Sequence, residues 1–554
     1  MRYSQKILSQ TVTQLCSAKG IDHVVISPGS RNAPLILGFT EDKTFKTFSI
    51  VDERCAAFFA LGIAQQKMKA VALVCTSGSA LLNYYPAVAE AFYSDIPLVI
   101  ISADRPAHLI DVGDGQTIRQ EGVFANHILY NANCREGEEQ QHFNELEINK
   151  ALNTAIERKG PVHLNVPFSE PLYETVSEPG IKINNIPFSI TPRSFSGNTS
   201  SFLSRWNTSK RKMVLVGVLP PNSLQQEYIN KLGEDESVIV LTETTSNLHH
   251  PNYFPAIDQL IAPLDDEQFK ALQPDLLLTF GGMVISKKIK AFLRSYAPQT
   301  HYHIDPKRGV DTYFVLSQHF ESNINEFFKT EISDFKLVES NYRNEWLNIR
   351  NRRLQRHTNY VNSIPYSDFK VFSVLFKRLP KNVQLQLANS ATVRYAQLFD
   401  LNESLRVFCN RGTSGIDGST STAIGAAYAS PKPTVLITGD LSFFYDSNAL
   451  WNKYIPDHFR IVIINNSGGG IFRILPGKND GDNFSTYFET RHDLTAEQLS
   501  TMYGFEYQNV ANETSLQTAL DSFFNTSDQP KILEIFTPSE VNDRILLDYF
   551  KFIK

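Results

Sequence analysis

No two cysteines in this chain have the CxxC spacing of a metal knuckle or a redox motif. The five present, Cys16, Cys55, Cys75, Cys134 and Cys409, are odd in number and mostly lie in apolar runs, as buried free thiols do in a reducing compartment. Long apolar runs are missing too. None approaches the ~18 residues of a membrane span, and the opening MRYSQKILSQ has no h-region of a signal peptide. The expectation is a cytoplasmic protein with no membrane partner. An excess of positive charge is likewise absent. The net charge of −5 and pI near 6.3 argue against a nucleic-acid binder. Lys210-Arg211-Lys212 and the arginines of NIRNRRLQRH (348–357) read as a solvated strand entry and a solvated linker helix. There is no GxGxxG fingerprint, which speaks against a plain dinucleotide-binding module, and no internal repeat.

What is there is an ordinary globular composition, 42% hydrophobic over 554 residues, enough for about three domains. Residues 1–178 alternate apolar strand and amphipathic helix patterns. A helix is expected at Ser4–Lys19 and strands at 23–27, 45–51, 70–76, 97–103 and 162–168. Further helices are expected at Glu53–Gln66, Ala80–Tyr93 and Glu145–Arg158. The polar, proline-punctuated stretch 177–201 reads as a linker. A second unit, 179–345, holds strand patterns at 212–219, 237–243, 275–282 and 301–305. The third, 346–554, holds them at 383–388, 405–410, TVLITGD, RIVIINN and 531–537. Strands separated by helices form parallel sheets, so the fold class is α/β with three doubly wound parallel-sheet domains.

Two strand ends stand out. Gly439-Asp440 closes TVLITGD and Asn465-Asn466 closes RIVIINN, with 26 residues from Asp440 to Asn466. That is one βαβ crossover, with its helix expected around Tyr445–Lys453, and it brings both ends to one sheet edge. A carboxylate, an amide oxygen and a backbone carbonyl make half of an octahedral Mg²⁺ shell, which phosphate oxygens complete. Taken singly, Gly-Asp is an ordinary helix-capping turn and Asn-Asn-Ser-Gly-Gly-Gly an ordinary loop. Together, at crossover spacing, they read as a clamp for a metal-bound diphosphate. His301 and His303 alternate on one strand, but no third ligand accompanies them. His249-His250, before Pro251, reads as loop.

Gly439-Asp440 followed by Asn466 resembles the diphosphate motif of thiamine diphosphate (ThDP) enzymes, with Leu441 where most members have glycine. The variant GDLS…NNSGGGIF is similar to one menaquinone-pathway branch of that family. SPGSRNAPL (27–35), VDER (51–54), CTSGSALLNYYPAV (75–88), SADRPAHLIDVGDGQTIRQ (102–120), FSEPLY (168–173) and NRGTSGIDGSTSTAIG (410–425) agree in order and spacing. The resemblance spans all three units. It implies a pyrimidine-binding first domain, a central domain and a diphosphate-binding third domain. The implied reaction is decarboxylation of 2-oxoglutarate and 1,4-addition of the succinyl carbanion equivalent to isochorismate.

The roles that follow are implied by the resemblance. Glu53, otherwise an ordinary first-turn acid capped by Asp52, is the catalytic proton switch on the cofactor's aminopyrimidine. Asp440, Asn466 and the Gly468 carbonyl hold Mg²⁺ or Mn²⁺. Ile416 is the wedge that bends the cofactor, with Asn389, Gly439 and Leu441 as further cofactor neighbours. Ser30, Arg31, Arg105, Gln116, Lys287, Ser390, Arg394, Arg411 and Phe472 face the two dicarboxylate substrates, which guanidinium groups bind in bidentate fashion. Lys288 stands where arginine is expected and Gly115 where asparagine is expected. The resemblance also implies a homodimer or homotetramer with active sites shared between chains. Two other readings compete. One is another ThDP carboligase, such as a relative of the acetolactate synthases that carry FAD, which DLLLTFGG without GxGxxG disfavours. The other is a non-catalytic ThDP-binding homologue, which the presence of Glu53 disfavours.

Overall fold

The computed structural model describes residues 2–189, 197–474 and 481–554. Three parallel sheets carry the chain. The first is built from His23–Ile26, Lys46–Ser49, Val71–Cys75, Leu98–Asp104, Tyr130–Asn133 and Val162–Pro167. The third is built from Gln384–Leu387, Arg406–Phe408, Thr434–Gly439, Phe459–Asn465, Glu506–Val510 and Lys531–Phe536. With the strands of each sheet numbered along the chain, both have the spatial order 2-1-3-4-6-5. The middle sheet, Lys212–Val216, Val238–Leu241, Leu276–Phe280, Thr300–Ile304 and Leu316–Phe320, has the order 2-1-3-4-5. In each sheet the chain reverses direction between strands 1 and 3, the place where open α/β sheets form a crevice. The inner strands VALVC, LVIISAD and FRIVIIN are buried at every position, because helices cover both faces.

In the three parallel sheets, the strands Tyr130–Asn133, Leu316–Phe320 and Glu506–Val510 escaped the sequence reading. Each is an edge strand. Edge positions need few apolar residues, so YNAN, LSQHF and EYQNV give no hydrophobic run. The first helix starts at Ile7 rather than Ser4, since Tyr3–Ser4 pairs antiparallel with Thr175–Val176. Ala80–Tyr93 is two helices, Ala80–Asn83 and Tyr85–Tyr93, the second with a proline in its first turn. The crossover helix expected at Tyr445–Lys453 is instead Asp440–Tyr445 followed by a tight turn over Ser447–Leu450. The reason lies at Asp446, whose carboxylate accepts from Ser421 N and Oγ on another helix and pulls the chain out of the helical path. Of the 177–201 linker, 190–196 lie outside the described residues. The part before them is bound to the first domain, with Asn149 donating to Asn184 O and accepting from Ile186 N. The helix Tyr342–Ser363 runs across the expected 345/346 boundary.

The first and third domains share a core containing Phe48, Phe58, Phe59, Ala423, Ile424 and Phe443. Its centre is the crossing of helices Glu53–Lys67 and Ser419–Ala429. A Cβ on Gly62 would lie 2.1 Å from Thr422 O, and one on Gly425 would lie 2.0 Å from Phe59 O. Only glycine permits so close an approach. No helix among the described residues is long and apolar enough to cross a membrane. All five cysteines are free and buried.

Candidate active site

Asp440 and Asn466 do emerge from neighbouring parallel strands, with Gly439 in register with Ile464. Asp440 is buried, and its carboxylate accepts from Leu441 N at 2.6 Å, Gly468 N at 2.9 Å and Asn466 N at 3.1 Å. Three backbone N–H groups thus point at one carboxylate and fix its orientation. His492 Nε2 lies 3.5 Å from the same carboxylate, which raises the imidazole pKa. Asn466 donates through Nδ2 to Asp368 Oδ2 at 2.9 Å. That bond fixes which end of the amide faces outward. Asn466 Oδ1 is buried and has no partner. A buried amide oxygen without a donor is costly unless a cation or water takes it. A carboxylate beside it is the donor set of a hard cation, so the residues fit Mg²⁺ or Mn²⁺. Asp368 is fully buried, and its pKa is pushed up to about 6 by that burial.

The loops at this edge are strained. Ser390, Ser414 and Ser467 have φ of 67°, 63° and 62°, and Gly468 has φ of 140°. Left-handed serines are uncommon and persist where surrounding contacts hold them. Asn389 supplies such contacts. It donates to Gly415 O at 2.7 Å and Asn410 O at 2.8 Å, and accepts from Arg411 Nη1 at 2.7 Å. Ile416 is only half-buried in its loop, and its carbonyl accepts from Ser442 Oγ at 3.0 Å. Phe472 is partly buried, its ring edge-on to Phe488.

The cations form two groups. Burial lowers the Arg394 pKa, and the nearby Arg411 charge lowers it further. Across the junction with the middle domain stand Lys287, which is exposed, and the buried Glu243. Burial pushes Glu243 up to about 7 despite bonds from Ile285 N and Ser286 N. Lys288 stacks over the Phe550 ring at 5.0 Å, so its position serves packing between domains. The second group is in the first domain. Arg31 bonds Phe168 O at 2.8 Å and Glu170 at 3.1 Å. Arg105 bonds Ser77 Oγ at 2.7 Å, Asp114 at 3.0 Å and Gln116 O at 3.2 Å. Ser30 and Gln116 are exposed beside them, Gln116 with φ of 53°. Among the described residues no hydrogen bond or ion pair joins the cations of the two groups. Gly115 lies in open space, and nothing in the structure explains its lack of a side chain.

Glu53 opens the Glu53–Lys67 helix, with Asp52 as N-cap on Cys55 N at 3.1 Å. Burial raises the Glu53 pKa, and the Asp52 charge adds to it, opposed by a bond from its own backbone N–H. Sequence reasoning missed Asp368, Asp446, His492 and Glu90. Asp368 alone had a signal, as the residue after a helix-capping serine. His301 and His303 both bond Thr279 Oγ1 at 2.8 Å and are buried, His301 with its pKa pushed down to about 4. One hydroxyl serves one nitrogen of each ring, and His301 Nδ1 is buried without a partner. Among the described residues no cluster of three or more His, Cys, Asp or Glu could hold a metal.

Known families match along the chain. The family described as “Thiamine pyrophosphate enzyme, N-terminal TPP binding domain” matches residues 7–128. “Middle domain of thiamine pyrophosphate” matches 192–387, and “Thiamine pyrophosphate enzyme, C-terminal TPP binding domain” matches 389–535. Full-length relatives named 2-succinyl-5-enolpyruvyl-6-hydroxy-3-cyclohexene-1-carboxylate synthase include proteins of Flavobacterium psychrophilum, 55% identical, and Christiangramia forsetii, 54% identical. Each match covers 100% of both chains. A protein of Porphyromonas gingivalis with the same name is 37% identical over 100% of this chain and 98% of its own.

Proposed function

The chain belongs to the 2-succinyl-5-enolpyruvyl-6-hydroxy-3-cyclohexene-1-carboxylate synthases among the ThDP enzymes, and from that premise we propose how its residues divide the work. The protein is a ThDP-dependent transferase of menaquinone biosynthesis. It decarboxylates 2-oxoglutarate and adds the remaining succinyl unit to isochorismate. When bound, ThDP supplies the nucleophilic carbon and the electron sink for decarboxylation.

Residues 1–178 supply Glu53, whose raised pKa suits a carboxyl that holds and returns a proton at the aminopyrimidine nitrogen. Residues 346–554 hold the diphosphate through Asp440, Asn466 Oδ1 and the Gly468 carbonyl around Mg²⁺ or Mn²⁺. The observation that carries this reading is the buried, unpartnered Asn466 Oδ1 beside a carboxylate. Asn389, Gly439 and Leu441 border the cofactor, and Ile416 presses on it. Arg394, Arg411, Lys287, Ser390 and Phe472 face the substrates on the third-domain side, and Ser30, Arg31, Arg105 and Gln116 on the first-domain side. Both substrates are dicarboxylates, which two groups of cations suit. We place the working site between chains of a cytoplasmic homodimer or homotetramer, as the resemblance to the ThDP enzymes implies. Release of CO₂ from 2-oxoglutarate is the test, with ThDP and Mg²⁺ and with or without isochorismate. Turnover that needs both substrates supports the reading. Turnover of pyruvate in place of 2-oxoglutarate would overturn it.

A further inference from the structure

We propose that Glu90, on a first-domain helix, is a positioning residue that sets Arg411 of the third domain for its substrate carboxylate. Glu90 is 1% exposed, on the helix Tyr85–Tyr93. Among the described residues no ion pair reaches its carboxylate. Oε1 accepts from Gly412 N at 2.7 Å and Ser94 Oγ at 2.8 Å, and Oε2 accepts from Thr413 N at 2.7 Å and Thr413 Oγ1 at 2.9 Å. A buried carboxylate satisfied by neutral donors is expensive to form and strict in geometry, so it fixes the backbone that donates. The donating residues directly follow Arg411. The approach is also sterically committed, since a Cβ on Gly412 would lie 2.6 Å from Glu90 O and 2.8 Å from Ser94 Oγ.

The rest of the loop is held by other means. Asn389 grips Gly415 O and Ser442 grips Ile416 O, both within the third domain. The clamp from Glu90 therefore governs the Arg411 end of the loop and leaves the Ile416 end to its own anchors. On the Arg411 side chain, Nη1 is held by Asn389 Oδ1, and Nε is buried without a partner. A shift of its backbone moves the guanidinium against an anchored Asn389. In Glu90→Gln one oxygen becomes an NH₂ that faces N–H donors, so half the clamp turns repulsive while the side-chain volume is kept.

This inference rests on the reading of Arg411 as a substrate cation. Steady-state kinetics of Glu90→Gln, Arg411→Ala, the double variant and Thr413→Val separate the two. Glu90→Gln is expected to raise KM for 2-oxoglutarate about tenfold, with half-saturation by ThDP within about twofold of the parent. The double variant should be no worse than Arg411→Ala alone, because both changes act through one group. Thr413→Val removes one bond and keeps the charge, and should raise the same KM about threefold. It carries the test if Glu90→Gln does not fold. An unchanged KM in Arg411→Ala would overturn the substrate reading and this inference with it. An effective Arg411→Ala overturns the Glu90 role alone if Glu90→Gln or a folded Thr413→Val leaves KM unchanged, or if the double variant multiplies the two effects.

Discussion

The first and third domains are built on the same strand order, 2-1-3-4-6-5, yet the same edge of each sheet carries opposite chemistry. In the first, strands end on Glu53, whose pKa is raised by burial, and on Arg31 and Arg105, each paired with an acid. In the third, strands end on Asp440, held by backbone amides, on Asn389, which donates to backbone carbonyls, and on Asn466, which donates to Asp368, with left-handed serines in the loops. The contrast teaches that topology chooses the edge while loop residues choose the chemistry. One half offers a carboxyl whose pKa is raised by burial and arginines paired with acids. The other offers a buried carboxylate beside an unpartnered amide oxygen, with Arg394 and Arg411 in the same domain.

The comparison breaks most sharply at its two carboxylates. Glu53→Gln should lower turnover by about 10²–10⁴-fold, since an amide cannot hold and return a proton, while metal-dependent ThDP binding survives. Turnover alongside a ThDP titration checks it, and parental turnover would remove Glu53 from the mechanism. Asp440→Ala should do the reverse and abolish metal-dependent ThDP binding, because the cation loses its one charged protein ligand. Calorimetric titration with ThDP plus Mg²⁺ is the measurement. Mixing the two inactive chains sharpens the contrast further. If each site takes one half from each chain, some mixed dimers contain a site with two intact halves, and activity returns. Full subunit exchange without activity would place both halves in one chain.

A smaller effect is expected at the cations. Arg394→Ala and Arg411→Ala should each raise KM for 2-oxoglutarate about ten- to a hundredfold, the worth of a charged hydrogen bond, with little change in ThDP affinity. A fall in cofactor affinity instead would move them to the diphosphate side. The remaining effect is on stability rather than turnover, at the seam between the two domains. Asp446 is fully buried between the Glu53–Lys67 and Ser419–Ala429 helices, accepting from Ser421 and Cys55, and its pKa is pushed up to about 7 by burial. Between about pH 4 and pH 7 the folded chain keeps a proton that the unfolded chain has released. Its contribution to stability is therefore present below that window and lost as pH rises through it, by about 1 kcal/mol per pH unit. Asp446→Asn should flatten this decline, read as the melting temperature at pH 5 and pH 8. Parallel declines in both proteins would assign the slope elsewhere.

Much of the fold was legible because buried parallel strands leave continuous apolar runs, as in VALVC and TVLITG. The edge strands YNAN, LSQHF and EYQNV left none. The crossover spacing from Asp440 to Asn466 was legible for the same reason, since the strands around it could only be neighbours. The wrong helix at Tyr445–Lys453 came from local periodicity, which carries no information about Asp446 reaching across to Ser421.

The sequence by itself determined three parallel sheets, which strand ends meet, and the residue types that gather there, because hydrophobic period and crossover length are local properties of the chain. Only the tertiary structure decided that the side-chain oxygen of Asn466 stays free, because Asp368, 98 positions earlier, takes its Nδ2. Only it decided that Glu90 grips a loop 322 positions later and that Gly62 and Gly425 let two helices touch. These are contacts between buried polar groups far apart along the chain. Such partners are chosen by three-dimensional packing and the cost of leaving a buried polar group unpaired, and neither leaves a periodic trace in sequence.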